Sequence, residues 1–261
     1  MTATVWDFSG KTALVSGGAS GIGEATVRKL AAAGAQVVFS DLDEKGGRAL
    51  EKELRDSGAT VRFVVSDATD EDQIKAVVET AYAINNRLDI AVNNVGGTAP
   101  NDTTTANIVD VELSAWRRSL DITLTSTFLG MKHQIQRMLT CGGGAIVNIS
   151  SLAGMRWTGS AKASYSVAKA GVIRLTEFAA VAYASANIRV NVVSPGITAT
   201  PAVLRLMPDK AERNAWAGRS HPMGRVIEPS EIADACLWAC SDAASGVTGL
   251  TIPVDGGWAA R

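Results

Sequence analysis

Short apolar runs alternate with longer amphipathic stretches along most of the chain. The apolar runs, rich in Val and Ile, fall at 12–16, 36–40, 60–66, 89–93, 145–150, 188–194 and 250–254, and each has the length of a buried strand. Between them, apolar residues recur at helical spacing over 22–33, 44–57, 71–85, 113–139, 164–185 and 230–240. That spacing predicts helices with one face on a core. Strands that are apolar on both faces, separated by helices, predict an α/β fold with parallel strands, because parallel neighbours need a crossover that a helix supplies. Right-handed crossovers then give a doubly wound, seven-stranded parallel sheet with helices on both faces. No repeat, linker or low-complexity tract interrupts 1–261, so a single domain is expected. Two segments break the rhythm. Residues 96–110 are rich in Thr, Asn, Gly and Pro, and residues 195–222 mix Pro, Val, Leu, Met and Trp with charges. Long insertions of this kind are often binding loops, and both are expected to emerge beyond the carboxyl ends of the strands, where ligands collect in such sheets. The second is the expected substrate loop.

Composition supports this picture and removes several alternatives. The 261 residues are 46% hydrophobic and 20% charged, enough apolar material for a substantial core. A formal net charge of −1 points to no nucleic-acid partner. No apolar run reaches the roughly 20 residues of a membrane span, so no membrane partner is expected. Residues 1–11 lack a basic stretch followed by an apolar one, and no secretory leader is read there. The three cysteines, Cys141, Cys236 and Cys240, form no even set and carry no export context, which predicts reduced thiols and a cytoplasmic location. Cys236 and Cys240 share a helix face without further ligands nearby, so they are assigned to packing and no metal site is expected.

The chemistry begins at the first strand-to-helix turn, Ser16-Gly17-Gly18-Ala19-Ser20-Gly21-Ile22-Gly23. Glycines allow a tight turn and close backbone approach, and a helix N-terminus offers free N–H groups and a positive dipole to a pyrophosphate. The turn therefore predicts a dinucleotide site, with Gly17, Gly21 and Gly23 in Gly-x-x-x-Gly-x-Gly spacing. Asp41 ends the second strand about 20 residues further on, where a ribose-binding carboxylate belongs. A carboxylate there accepts both ribose hydroxyls and repels a 2′-phosphate. Ser40 and Leu42 are uncharged, and positions 17–23 contain no Lys or Arg. NAD is therefore expected over NADP.

A second group lies later in the chain. In Tyr165-Ser166-Val167-Ala168-Lys169 the tyrosine and lysine are four apart and share a helix face. A nearby ammonium favours a phenolate and should lower the tyrosine pKa from its usual value near 10, making it a usable acid/base. Ser151, in the upstream Ser150-Ser151 pair, is placed to hold a reacting oxygen.

Taken in order, Gly17–Gly23, Asp67-Ala68, Asn93-Asn94-Val95-Gly96, Ser150-Ser151, Tyr165–Lys169, Pro195-Gly196 and Val254-Asp255-Gly256-Gly257 resemble the short-chain dehydrogenase/reductase family over essentially the whole chain. The resemblance implies a Rossmann-type fold, with Tyr165 as acid/base, Ser151 positioning the oxygen and Lys169 holding the nicotinamide ribose. It implies that Asp67 and Ala68 border the adenine, that Asn93 supports the strand beside the cofactor, and that Ile197 and Thr198 lie near the carboxamide. Ser20, Ile22, Leu42, Val95, Gly96, Pro195, Gly196 and Thr200 are further cofactor contacts of that reading. It also implies a homotetramer, with helices 113–139 and 164–185 packing across an interface.

One position departs from the family pattern. An Asn usually stands in the long central helix, where its carbonyl holds a relay water and its amide stabilises a helix distortion. Here Asp121-Ile122-Thr123-Leu124-Thr125 puts Thr123 in that place. The expectation is a proton relay that persists with weaker support. His133 is read as a surface or interface residue, and His221 as a hinge rather than a catalyst. Met155, Trp157, Leu204 and Met207, with Leu206 and Trp216, are expected to form an apolar substrate wall. A Ser-His-Asp hydrolase is disfavoured, since no Gly-x-Ser-x-Gly elbow occurs. The resulting expectation is an NAD-dependent secondary-alcohol dehydrogenase or carbonyl reductase acting on a cyclic or hydrophobic small molecule, such as a diol or steroid. A 3-oxoacyl-thioester reductase and a catalytically weak NAD-binding assembly protein remain as alternatives.

Overall fold

The computed structural model describes residues 6–102, 107–159 and 161–261. Seven strands, β1 (Thr12–Ser16), β2 (Gln36–Asp41), β3 (Val61–Val65), β4 (Ile90–Asn93), β5 (Gly144–Ile149), β6 (Ile188–Pro195) and β7 (Thr251–Val254), form one sheet in the order β3-β2-β1-β4-β5-β6-β7. Every pairing is parallel. The period-two geometry of a strand sorts its side chains between two cores. Ala13 and Val15 of β1 join one core with Val37, Phe39, Val147 and Val193. Leu14 joins the other with Val38, Ala91, Ile146 and Val190.

Helices α1 (Gly21–Ala32), α2 (Glu44–Asp56) and α9 (Pro229–Cys240) cover the first face through Leu30, Leu50, Leu54 and Leu237. Cys236 and Cys240 of α9 are buried there as free thiols. Helices α3 (Glu71–Asn85), α5 (Ser126–Thr140) and α6 (Ala163–Tyr183) cover the second face through Val77, Met131, Met138 and Ala180. Pro253 lies in β7, an edge strand, where a missing N–H costs no interior ladder bond.

Two expectations are corrected. The helix expected over 113–139 is α4 (Leu113–Leu120) followed by a wide turn at Asp121–Thr125 with i→i+5 bonding, and only then α5. The interruption centres on Thr123, whose side chain is engaged by a neighbouring loop, as described below. Segment 195–222 is not a plain loop: it contains α7 (Pro201–Leu206) and α8 (Lys210–Ala217). Pro201 opens α7, and Asp209 caps α8 by accepting from Glu212 N at 2.8 Å. Of the loop expected at 96–110, residues 103–106 lie outside the described residues.

Strand order reverses between β1 and β4, the neighbours at the switch point of the sheet. A crevice outside the carboxyl ends of the strands follows from that reversal.

Candidate active site

At this crevice the glycine turn joins β1 to α1. Gly17 and Gly21 have φ of +66° and +58°, in the left-handed region where a Cβ is penalised. Gly23 is constrained by space instead, since a Cβ there would stand 1.9 Å from the Gly17 carbonyl oxygen. That oxygen accepts from Asn94 Nδ2 at 2.8 Å, tying the turn to the end of β4. Ser20 precedes α1 without capping it through its side chain. The first-turn N–H groups of α1 therefore have no side-chain cap from Ser20 and can serve an anion.

Asp41, at the end of β2, holds two local donors. Its Oδ2 accepts from Ala19 N at 3.0 Å and its Oδ1 from Asp43 N at 3.0 Å. Each oxygen keeps further acceptor capacity. Beside it, Asp67 Oδ1 accepts from the Thr69 N–H and hydroxyl, which hold the carboxyl below its ordinary range. Arg118 of α4 lies 4.0 Å from Asp67 Oδ2.

A cleft of about 950 Å³ runs from Asp41 and Asp67, past the glycine turn, to Ser151, Tyr165 and Lys169. Two adjacent serines at the end of β5 have separate tasks. The buried Ser150 hydroxyl donates to the Lys169 carbonyl at 2.8 Å, fastening β5 to α6. Ser151 faces the cleft, and its oxygen accepts from Ala153 N at 3.2 Å, leaving its proton to donate elsewhere. Gly154 allows this fit, because a Cβ there would meet the Lys169 backbone at 2.6 Å.

Lys169 is buried, with Nζ 5.7 Å from the Tyr165 ring centroid and donating to the Ile149 carbonyl at 2.6 Å. The expectation that the lysine lowers the tyrosine pKa does not describe the protein by itself. Burial is the stronger influence on both groups. It pushes the Tyr165 hydroxyl above its usual value, with the Ser151 hydroxyl working in the opposite direction. It brings Lys169 down to about 7. At neutral pH the lysine is therefore divided between its charged and neutral forms.

Thr123 is fully buried and does not touch the cleft. Its hydroxyl donates to the Gly97 carbonyl at 2.7 Å and accepts from Gly97 N at 3.0 Å. One hydroxyl thus satisfies both backbone groups of a loop residue, as a carboxamide's donor and acceptor would. The neighbouring Gly96 packs on Lys169, where a Cβ would stand 2.5 Å from Nζ. Instead of being left free, the Thr123 carbonyl accepts from the Thr127 hydroxyl at 2.8 Å.

Of the residues read as cofactor contacts, Gly17, Ser20, Gly21, Ile22, Asp41, Leu42, Asp67, Ala68, Val95, Gly96, Pro195, Gly196, Ile197, Thr198 and Thr200 all line the cleft. Gly23 and Asn93 do not. Asn93 lies beneath, bonded to Gln134 of α5 and Asn148 of β5 at 2.8–3.0 Å. Met155, Trp157, Leu204 and Met207 are also absent from the cleft wall, and Trp157 is 72% exposed. The wall is formed by Pro201, Ala202, Val203, Arg205 and Trp216. Six residues of α7 carry too little periodicity to show which side faces the cleft. His133 is buried rather than on the surface and lies 3.0 Å from Glu71 Oε1. His221 is a buried pin: Nε2 accepts from Ile197 N at 3.0 Å, and Nδ1 is 2.8 Å from the Arg225 carbonyl. Those partners require the proton on Nδ1. The partners of Asn94, Thr127 and Asn148 are not legible in the sequence, since a single Asn or Thr carries no signal of its partner.

Comparison with known proteins agrees with this geometry. A family model described as enoyl-(acyl carrier protein) reductase matches residues 17–259. The chain is 44% identical to cis-4-hydroxycyclohexanecarboxylate dehydrogenase of Sinomonas cyclohexanicum, over 97% of this chain and 98% of that one. It is 40% identical to a 2,5-dichloro-2,5-cyclohexadiene-1,4-diol dehydrogenase of Sphingobium indicum, over 97% and 99%. A solved 7α-hydroxysteroid dehydrogenase, complexed with NADH and 7-oxo glycochenodeoxycholic acid, superposes with a TM-score of 0.87 at 30% identity, covering 96% of this chain and 95% of that one. The chain is an oxidoreductase interconverting an alcohol and a ketone, and it belongs to the short-chain dehydrogenase/reductase family.

Proposed function

We propose that the chain is an NAD-dependent dehydrogenase of a hydrophobic, ring-borne secondary alcohol, acting as a ketone reductase in reverse. The observation that carries this reading is the meeting of Ser151, Tyr165 and Lys169 in one cleft with Asp41 and the glycine turn. The residues fit a dinucleotide: a helix start for its phosphates, a carboxylate with spare acceptor capacity for ribose hydroxyls, and Ile197, Thr198 and Thr200 for the nicotinamide end. The carboxylate at Asp41 and the absence of Lys or Arg from positions 17–23 favour NAD. A ring substrate is supported by the names of the relatives and by the Pro201, Val203 and Trp216 wall.

When bound, the nicotinamide supplies the hydride acceptor. The chain orients the alcohol and handles its proton. Ser151 donates to the substrate oxygen, and Tyr165 as phenolate removes the hydroxyl proton while the carbon gives up its hydride. Lys169, in its charged form, stabilises that phenolate.

A more specific reading places an anionic group on the ring. Arg205 lines the cleft on α7 with no acidic partner among the described residues, whereas Arg118 has Asp67. The long faces of α5 and α6 also leave Phe128, Phe178 and Val181 exposed along a groove of about 830 Å³. This supports the homotetramer, and a monomeric mass by sedimentation would count against it.

The test is a panel of cyclic and linear secondary alcohols, with and without a ring carboxylate, followed by NADH absorbance with both cofactors. Ring alcohols should turn over with at least about tenfold preference for NAD, and Tyr165→Phe should abolish turnover. Equal use of NADP, or preference for an acyl thioester, would overturn the reading. An unimpaired Tyr165→Phe would instead favour the binding protein.

A further inference from the structure

Asp102 is a carboxylate in the interior of the protein, 2% exposed, outside the cleft lining. Burying such a charge is costly unless its oxygens are well satisfied. Its Oδ2 accepts from the Ser164 hydroxyl and from the Ser119 hydroxyl, the latter at 3.2 Å. Its main-chain carbonyl accepts from Lys162 Nζ, which also donates to the Thr98 hydroxyl at 3.2 Å. Lys162 is the residue immediately before α6, and Ser164 lies in the first turn of that helix. Asp102 is thus gripped at two points by the residues that open α6. Ser119 carries the junction into α4, where its oxygen accepts from Ala99 N at 2.9 Å.

Ser164 directly precedes Tyr165. One turn further along the same helix, Lys169 Nζ rests on Gly96, in the segment that ends at Asp102. The span 96–102 therefore supports the reactive turn of α6 at both ends. Gly96 meets that turn at Lys169 and Asp102 meets it at Ser164, while Gly97 ties the span itself to Thr123 in the break before α5.

We propose that Asp102 is a positioning residue for Tyr165, holding the first turn of α6 through Ser164 so that the tyrosine hydroxyl faces Ser151. The role rests on the dehydrogenase reading above. It does not require contact with substrate or cofactor. Reactive groups must be held to within fractions of an ångström, and displacement by about 1 Å can cost a hundredfold in rate.

Asp102→Ala and Ser164→Ala are each expected to lower kcat about tenfold or more. KM for alcohol and NADH affinity measured by fluorescence should stay within about twofold, since neither residue lines the cleft. The double variant should be no slower than the slower single one, because both cut the same tether. Asp102→Asn should recover most of the turnover, as its amide oxygen still accepts the Ser164 proton. Ala variants that lose thermal stability yet keep kcat would overturn the proposal, and so would losses that multiply in the double variant. If Asp102→Ala does not fold, Ser164→Ala with unchanged kcat overturns it alone. A wild type that oxidises no alcohol sinks the dehydrogenase reading instead, and this role with it.

Discussion

Tyr165 and Lys169 stand one helical turn apart, and burial drives both toward their neutral forms. Ser151 is the neighbour that acts against this, since its hydroxyl stabilises the phenolate. In the proposed mechanism alcohol oxidation uses the Tyr165 phenolate, so the rising limb of kcat/KM with pH is expected to follow Tyr165. Removing the Ser151 hydroxyl removes an influence that lowers the tyrosine pKa. Ser151→Ala should therefore move that limb to higher pH, and it should also cost about a hundredfold in kcat by removing a donor to the reacting oxygen. A pH profile of the variant checks both. A limb that stays in place would show that Ser151 does not reach Tyr165.

Among the elements, the break at Asp121–Thr125 carries the most consequence. A buried threonine there serves Gly97 N and O together. Thr123→Val strands both groups, at about 1–3 kcal/mol for each buried unsatisfied partner. A clear fall in melting temperature and a slower enzyme are expected, because Gly96 and Lys169 lean on the same loop. Thr123→Asn, with its own donor and acceptor, should stay within about twofold of wild type. A large gain in turnover would mean that the native relay is impaired. This break was only half legible in the sequence. The apolar period runs unbroken through 113–139, and hydrophobic spacing cannot report a side chain that captures a loop 26 residues away. The seven strands were legible because their apolar composition is local, and the five inner ones are buried on both faces. The meeting of Tyr165 and Lys169 in one cleft was legible because they are a helical turn apart. Of the cleft wall Trp216 was legible but the α7 residues were not, since the inward face of α7 depends on how a short helix docks; nor was the Asp102–Ser164 contact, which joins residues far apart in the chain.

At the scale of the whole molecule, the buried lysine makes stability depend on pH. Unfolded, Lys169 keeps its proton to its ordinary value of 10.5; folded, it loses it near 7. Between those limits the unfolded chain binds more protons, so raising the pH stabilises the fold. Tyr165, shifted upward, reverses the trend once the pH passes its ordinary value of 10.0. The melting temperature of the protein without added cofactor should climb from pH 7 toward 10 and then turn over. Lys169→Met should flatten the climb and melt higher than wild type at pH 7. A wild-type curve flat across this range would show that the lysine is not desolvated as its burial requires. Asp41 links the molecule's architecture to its chemistry in another way. The carboxylate proposed to take the ribose hydroxyls also anchors Ala19 in the glycine turn and Asp43 ahead of α2. An engineer seeking to switch coenzymes by a single exchange here would loosen the cradle along with its selectivity. A successful redesign would have to replace the anchor before changing the preference.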